Sequence, residues 1–121
     1  MTPGPIRNTL GMRGEALAAD LCREKGFKVI ETNYSTPFGE IDIIAKDKDI
    51  FVFIEVKSRA GATYGAPFEA VTRRKREKIK KVAMNYLKRF KTEMPARFDV
   101  ISVSIKEGAP SLEYIQDAFE I

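Results

Sequence analysis

The chain has 121 residues, of which 44% are hydrophobic, and this is enough apolar material for the core of one domain. Its 21 basic and 17 acidic residues give a net charge of +4, and it contains one cysteine and no histidine. These counts exclude a Ser-His-Asp triad, a Cys-His pair and a histidine-ligated zinc site, so any catalysis must rely on carboxylates, lysines and a metal that prefers oxygen ligands.

The first part of the chain predicts an arm followed by a helix. Residues 1–11 are rich in proline and glycine, so we predict a mobile arm there and a single domain over residues 12–121. Alanines and leucines form a broad apolar face over residues 12–25, which predicts a helix that stops at Gly26. Cys22 falls on that face, and we expect it in the core.

A strand and a hairpin are predicted next. Residues 27–34 are typical of a strand, and residues 40–45 and 50–57 are typical of an antiparallel hairpin with its turn at 46–49. The second hairpin strand is strongly apolar until it ends in Glu-Val-Lys. A carboxylate at the end of a core strand is costly to bury unless a counter-charge, hydrogen bonds or a metal compensates it. This end of the sheet is therefore a candidate functional site.

Two carboxylates and a lysine are expected to converge there. Side chains alternate along a strand, so Phe53, Glu55 and Lys57 share one face. A hairpin that turns at residues 46–49 places Asp42 opposite Phe53 and one diagonal step from Glu55. This is the arrangement that a phosphodiesterase dependent on a divalent metal needs.

The clearest predicted helix begins at Thr72 as N-cap and carries an apolar stripe that extends to Phe90. Its first part, residues 73–81, contains seven basic residues and one acidic residue. Such a run is either a solvated helix face or a phosphate-binding surface, and its position beside the carboxylates favours the second interpretation. Lys75 lies one turn before the apolar Ile79, so it points toward the end of the sheet.

The rest of the chain completes an α/β fold. We predict a flexible loop over residues 59–67, a fourth strand over 97–105 and a short fifth strand over 112–116. The long second helix is suited to a right-handed crossover that makes the fourth strand parallel to the third. The prediction is an α/β sandwich with a central mixed β-sheet flanked by helices.

These residues together resemble the PD-(D/E)xK nuclease superfamily, which has an acidic helix, an aspartate on strand two and Glu-x-Lys on strand three. A closer resemblance, to the bacterial YraN-like family of predicted endonucleases, covers about residues 11–119. It rests on an ordered series of motifs: Gly14-Glu15, the Asn33 region, Gly39-Glu40-Ile-Asp42, Phe53-Ile-Glu55-Val-Lys57-Ser-Arg59, Lys75 and Arg97-Phe-Asp-Val. That family is similar to archaeal Holliday-junction resolvases, and the resemblance implies a restriction-endonuclease-like sandwich. One departure is that Ile41 precedes Asp42 where the superfamily pattern has proline.

Four residues are candidate metal ligands for Mg²⁺ or Mn²⁺. Asp42 and Glu55 are expected to bind the ion directly, with the Val56 carbonyl as a third ligand. The alternative for these carboxylates is a strand end held by hydrogen bonds or a lysine. The resemblance to resolvases implies that Glu15 binds a metal-bound water, although an acid in the first turn of a helix is also favoured by the helix dipole.

Lys57 is the fourth candidate catalytic residue, together with Asp42, Glu55 and Glu15. It is expected to orient the attacking water or to neutralise charge on the phosphate, and the alternative is a simple salt bridge. Glu40 shares a face with Asp42 and is a candidate outer-shell ligand. Asp99 is interpreted as structural.

The candidate nucleic-acid contacts lie on the basic helix and just after the Glu-x-Lys strand. Lys75 is expected to contact phosphate or the site carboxylates, and Arg59 is placed to clamp a phosphate unless it faces solvent. The remaining candidates on the helix surface are Arg73, Arg74 and Lys78.

The sequence therefore favours a metal-dependent endonuclease that hydrolyses DNA phosphodiester bonds, on branched or damaged DNA in repair or recombination. The alternatives are a non-catalytic nucleic-acid-binding module and a protein–protein adaptor. Coordinated cutting of both strands would favour a homodimer. The chain has no run of eighteen apolar residues and no signal-peptide pattern, and its one cysteine forms no internal disulfide, so we expect no membrane association and a cytoplasmic location.

Overall fold

A computed structural model describes residues 10–60 and 72–120. The helices and strands follow in the order α1 (Leu10–Glu24), β1 (Lys28–Thr36), β2 (Gly39–Asp47), β3 (Ile50–Ala60), α2 (Arg73–Leu87), β4 (Ala96–Lys106) and β5 (Ala109–Phe119). The strands form one five-stranded sheet in the order β1-β2-β3-β4-β5. Strands β3 and β4 are parallel and the other neighbours are antiparallel. The predicted α/β fold with a central mixed sheet is confirmed.

The central strand β3 is buried on both faces because a helix covers each side of the sheet. Phe51 and Phe53 pack in the core beneath α2, whereas Val52 and Ile54 pack in the core beneath α1. Cys22 lies in the α1 core as predicted, and burial raises the pKa of its thiol to about 11. The alternation along β3 thus directs its odd-numbered residues, including the polar ones that follow, toward α2.

Helix α2 is the predicted crossover between the parallel strands. The Thr72 side chain accepts a hydrogen bond from the Lys75 amide at 3.2 Å and caps the helix start. The helix ends at Leu87, earlier than the apolar stripe suggests, but Phe90 still packs on Phe51 with ring centroids 5.0 Å apart. The stripe that faces the sheet consists of Ile79, Val82, Ala83 and Tyr86.

Several element boundaries differ from the predicted ones. Helix α1 begins at Leu10, and most of the predicted arm lies outside the described residues, as does the predicted loop after Ala60. Strand β5 is longer than predicted because it is an edge strand, where Pro110 and alternating polar residues are tolerated. Within residues 10–60 and 72–120, neither helix has the length and hydropathy needed to span a membrane.

Gly14 allows α1 to approach β3 closely beside the candidate site. A Cβ atom at this buried position would overlap the Ser58 hydroxyl and lie 3.3 Å from the Ser58 Cβ. The glycine is therefore required by packing, and the close approach also sets the position of the neighbouring Glu15.

We expect Gly14→Ala to lower the free energy of unfolding by about 1–2 kcal/mol, because overpacking at Ser58 outweighs the better helix propensity of alanine. Urea unfolding of the single variants and of Gly14→Ala/Ser58→Ala measures this. The double variant should recover most of the loss, since it removes the overlapping hydroxyl, and Ser58→Ala alone should be close to neutral. Wild-type stability of Gly14→Ala would contradict the packing argument.

Candidate active site

The register of the β2–β3 hairpin places Asp42 beside Glu55. The pairs run from Asp47↔Ile50 to Ile43↔Ile54, so the turn contains only Lys48 and Asp49. Lys48 has a φ of 56°, which suits a tight two-residue turn.

The predicted register was therefore wrong by two residues. A four-residue turn would have placed Asp42 opposite Phe53, whereas the tighter turn moves it along β3 to the level of Glu55. The two carboxylates are thus neighbours across the hairpin rather than diagonal partners.

Asp42 lies just beyond Ile43↔Ile54, the last β2–β3 pair, and contributes to both faces of the sheet. Its Oδ2 accepts a hydrogen bond from the Val56 amide at 2.8 Å. Ile41 packs in the α2 core and Ile43 in the α1 core, so the side-chain alternation is interrupted between them. As a result Asp42 lines a cavity on each face of the sheet.

Glu55 is buried at the end of the apolar run and is held by two lysines. Its side chain is 4% exposed, its Oε2 lies 3.6 Å from the Lys57 Nζ, and Lys75 from α2 forms a closer ion pair with the same oxygen. Both lysine side chains are partly exposed. These two cations offset the cost of burying the carboxylate. From the sequence, a salt bridge was the alternative role of Lys57, and contact with the site carboxylates was one of the roles expected of Lys75.

Burial, together with the close packing of charges, perturbs the pKa values of this cluster. Burial and the nearby Glu55 carboxylate raise the pKa of Asp42 to about 7, against the stabilising Val56 hydrogen bond. Burial and the neighbouring Lys75 lower the pKa of Lys57. Burial also acts to lower the pKa of Lys75, but its hydrogen bond and charge interaction with Glu55 raise it overall. A further cation near Asp42 would relieve the repulsion between the carboxylates.

The larger of the two cavities at the site has walls of opposite charge. Its volume is about 510 Å³, and Asp42 and Glu55 lie on the sheet side. Arg74, Lys75 and Lys78, three of the candidate nucleic-acid contacts, line the α2 side. The cavity could therefore hold an anionic group against the basic residues of α2 and a metal ion against Asp42 and Glu55 at the same time.

The second cavity, of about 390 Å³, lies on the α1 face and contains Glu15. The Glu15 charge contributes to the raised pKa of Asp42, so the two carboxylates interact across this cavity. Asn33 also lines it and has a φ of 53°, the left-handed conformation that asparagine tolerates. Glu15 and Glu55 therefore approach Asp42 from opposite faces of the sheet.

The donor set fits a magnesium ion that retains water. In the part of the chain that the structure describes, no three acidic or cysteine side chains lie close enough together to enclose a metal ion. Mg²⁺ is usually bound by one or two carboxylates and completed by waters and substrate phosphates, which the Asp42–Glu55 pair allows. The N–H and C=O of a strand residue face the same edge, so the Val56 carbonyl faces Asp42 as its amide does.

The other predicted residues fall in different places. Glu40 is exposed and lines the larger cavity, and Arg73 is exposed at the start of α2. The Arg59 side chain lies outside the described part of the chain.

Two residues near the cavities were not predicted from the sequence: Arg23, which lines the α1-face cavity, and Phe38, at the tip of the β1–β2 hairpin. A single surface arginine or phenylalanine belongs to no motif that would mark it in the sequence.

Asp99 is buried on the α1 face of β4, beside Ile54 of β3, and is the centre of a polar network. It accepts hydrogen bonds from the Arg97 side chain at 3.0 Å, from the Asp117 amide at 2.9 Å and from the Tyr114 hydroxyl. Arg97 also pairs with Asp47 at 3.0 Å. The structural interpretation of Asp99 agrees with these contacts.

Comparison with known proteins identifies the family. The family model described as "Uncharacterised protein family UPF0102" matches residues 14–103, which include every predicted catalytic residue. The chain belongs to UPF0102.

Curated UPF0102 proteins from several bacteria are similar over nearly their whole length. The UPF0102 protein of Thermodesulfovibrio yellowstonii is 47% identical over 113 residues, which cover 93% of this chain and 97% of the relative. That of Syntrophomonas wolfei is 43% identical over 117 residues, with 94% and 100% coverage. A UPF0102 protein of Clostridium botulinum strain Loch Maree is 45% identical over 116 residues, with 93% and 94% coverage. The similarity to these UPF0102 proteins therefore extends over more than nine tenths of this chain.

Proposed function

We propose that this UPF0102 chain is a metal-dependent endonuclease of the PD-(D/E)xK type that hydrolyses DNA phosphodiester bonds. The observation that carries the proposal is the adjacent pair Asp42 and Glu55, just beyond the last β2–β3 backbone pair, with Lys57 next on the same face as Glu55. Two crowded carboxylates, one with its pKa raised to about 7, form a site that binding of a divalent cation would stabilise.

Asp42, Glu55 and the Val56 carbonyl would hold the Mg²⁺ or Mn²⁺ ion, and Glu15 would hold one of its waters. The bound ion would supply Lewis-acid polarisation of the phosphate and a lower pKa for a coordinated water. The chain itself fixes the geometry, because the Val56 amide orients Asp42 and the two lysines orient Glu55.

Lys57 and Lys75 have distinct roles in this proposal. Lys57 has a lowered pKa, which favours transfer of a proton from the attacking water or hydrogen bonding to it. Lys75 lies on the cavity wall with Arg74 and Lys78, so its ammonium group is placed to move from Glu55 to an incoming phosphate. The Lys75 ammonium group, and Lys57 once it carries the proton from the water, would stabilise the additional negative charge of the transition state.

A polyanionic substrate is favoured by the basic wall of α2. Arg74, Lys75 and Lys78 face the cavity, and phosphate contacts of this kind bind DNA without reading its sequence. One such site cuts one strand, so we propose that coordinated cutting of two strands requires two copies of the chain.

The proposal is tested by incubating the protein with labelled single-stranded, duplex, flap and four-way-junction DNA in Mg²⁺, Mn²⁺ or EDTA. We expect cleavage with either ion and none in EDTA, and the preferred substrate identifies the DNA structure recognised. Absence of cutting on every substrate in both metals would contradict the nuclease proposal.

A second candidate, a non-catalytic nucleic-acid-binding module, is supported by the ion pairs of Glu55. Lys57 and Lys75 balance this carboxylate without a metal. This module would bind DNA with a steep salt dependence governed by α2, and binding would be indifferent to Asp42→Asn and to Mg²⁺.

The raised pKa of Asp42 predicts a pH-dependent stability of the metal-free protein. Folding raises this pKa from its ordinary value of 3.8 to about 7. Between these values the folded protein retains a proton that the unfolded chain releases, so the contribution favours the fold at low pH and is lost as the pH rises through about 7. In EDTA, wild-type stability should fall by about 2–3 kcal/mol more than that of Asp42→Asn between pH 5 and pH 8.

Urea unfolding at the two pH values measures this difference, and Mg²⁺ provides the control. At pH 8, excess Mg²⁺ should stabilise the wild-type protein and have little effect on Asp42→Asn, because the variant lacks one ligand and the charge repulsion. Parallel pH profiles for the two proteins would contradict the assignment of this titration to Asp42.

A further inference from the structure

Phe38 is an exposed aromatic side chain at the tip of the β1–β2 hairpin. It is 51% exposed, and Met84 on α2 is 50% exposed; these are the exposed large hydrophobic residues of the described part of the chain. The two residues line one cavity of about 430 Å³. A single exposed phenylalanine is common, so its position relative to the active site decides its significance.

The hairpin tip that carries Phe38 borders the candidate active site through Gly39. Gly39, the next residue, lines the carboxylate cavity, and a Cβ atom on it would lie 3.9 Å from the Lys78 Cβ and 3.8 Å from a Val82 methyl group. The tip thus crosses α2 at this point. The carboxylate cavity is on the Gly39 side and the Phe38 cavity is on the other.

Thr36 fixes the conformation of this tip. Its hydroxyl oxygen accepts a hydrogen bond from the Phe38 amide at 3.1 Å and donates one to the Gly39 carbonyl at 3.1 Å. The backbone that carries the ring is therefore ordered before any ligand binds, which lowers the entropy cost of using the ring as a contact.

A basic stripe connects the two cavities. Four basic residues occur at spacings of four, three and seven along α2 and its C-cap, which places them on one side of the helix: Arg74, Lys78, Lys81 and Lys88. The stripe is about 21 Å long at 1.5 Å per residue. Lys80, Lys81 and Lys88 line the Phe38 cavity together with one acid, Glu77. A polyanionic strand that extends from the carboxylate cavity along α2 would pass the Phe38 ring.

We propose that Phe38 is a base-stacking site for an unpaired nucleotide of the DNA strand that passes through the active site. The inference depends on the proposed function, because it requires DNA in the carboxylate cavity. Aromatic rings beside a positively charged track are how single-stranded nucleic acids are bound without sequence preference. A base in an intact duplex has both faces stacked, so Phe38 favours single-stranded or branched DNA over blunt duplex.

The chain contains no tryptophan, and this allows a direct test of stacking. The full-length Phe38→Trp protein has one tryptophan, whose fluorescence is quenched when a base stacks on it. In EDTA, we expect strong quenching by oligothymidine, weaker quenching by a blunt duplex and little by heparin, a polyanion without bases. Ser111→Trp, exposed on the edge strand β5, is the matched control and should not respond. Equal quenching of Phe38→Trp by heparin and oligothymidine would overturn the proposal.

Binding affinities give an independent measurement. Phe38→Ala and Phe38→Leu should weaken oligothymidine binding about tenfold and duplex binding much less, whereas Phe38→Tyr should retain wild-type affinity. Ser111→Ala, on the exposed edge strand β5 and outside this cavity, is the control and should bind normally. Wild-type affinity of Phe38→Ala for the single strand would overturn the stacking site.

The outcomes separate this inference from the nuclease proposal. Base-specific quenching in a protein that never cuts DNA would support the stacking site and contradict the nuclease. Cutting by the wild type with no base-specific quenching would support the nuclease and overturn the stacking site. No DNA binding at any salt concentration would overturn both.

Discussion

Glu55→Gln is expected to reduce metal-dependent DNA cleavage by about a hundredfold to a thousandfold while the protein remains folded and binds DNA. The substitution removes a metal-binding charge at the site where the transition state gains negative charge, and loss of one such stabilising group has an effect of this size. The glutamine keeps the shape of the buried side chain. Lys57 and Lys75 are partly exposed, so water can solvate them after their partner loses its charge.

The measurement is the single-turnover cleavage rate on the preferred DNA, together with the binding affinity in EDTA. Glu113→Gln, which removes an equal charge from the exposed surface of β5, is the control and should cut at the wild-type rate. DNA binding by Glu55→Gln should be equal to or tighter than that of the wild type, because the variant has one negative charge fewer. A wild-type cleavage rate in Glu55→Gln would refute the assignment of Glu55 as a metal ligand.

Much of the fold was predictable because local patterns and tertiary packing agree. The apolar run within residues 50–57 favours a strand that is buried on both faces. The apolar stripe of α2 favours a helix packed on one of those faces, so the two patterns agree. The long crossover then fixes β3 and β4 as parallel. The register of the β2–β3 hairpin was harder to predict, because a shift by two residues keeps every side chain on the same face of the sheet. The observed register depends on a two-residue turn in which Lys48 has a positive φ.

The proximity of Asp42, Glu55 and Lys57 was predictable, but the detailed contacts around them were not. Lys75 was expected near the sheet end, yet only the packing of α2 on this face of the sheet brings it onto the same carboxylate oxygen as Lys57. The interruption of alternation at Asp42, which exposes it to two cavities, has no signal in a segment that reads Glu-Ile-Asp-Ile-Ile. Burial of Asp99 was equally hidden, because Arg-Phe-Asp-Val also fits a strand with one solvated face.

The buried network around Asp99 gives the largest expected effect on stability. Asp99→Ala should lower the free energy of unfolding by about 3–5 kcal/mol, as for other buried ion pairs that lose one partner. The Arg97 side chain is 9% exposed and would retain only one of its two carboxylate partners, Asp47, and its Nη2 already has no hydrogen-bond partner among the described residues. The Tyr114 hydroxyl and the Asp117 amide would also lose their acceptor.

The paired variant Arg97→Met/Asp99→Leu separates the value of the network from the cost of breaking it. Apolar replacement of both partners removes the unpaired charge, so urea unfolding should show a much smaller loss than in Asp99→Ala. The network lies on the α1 face of the sheet and Glu55 faces α2, so cleavage per folded molecule should be unchanged in the double variant. Equal losses of stability in the two variants would mean that the hydrogen bonds of Asp99 to β5, rather than its charge, hold this face together.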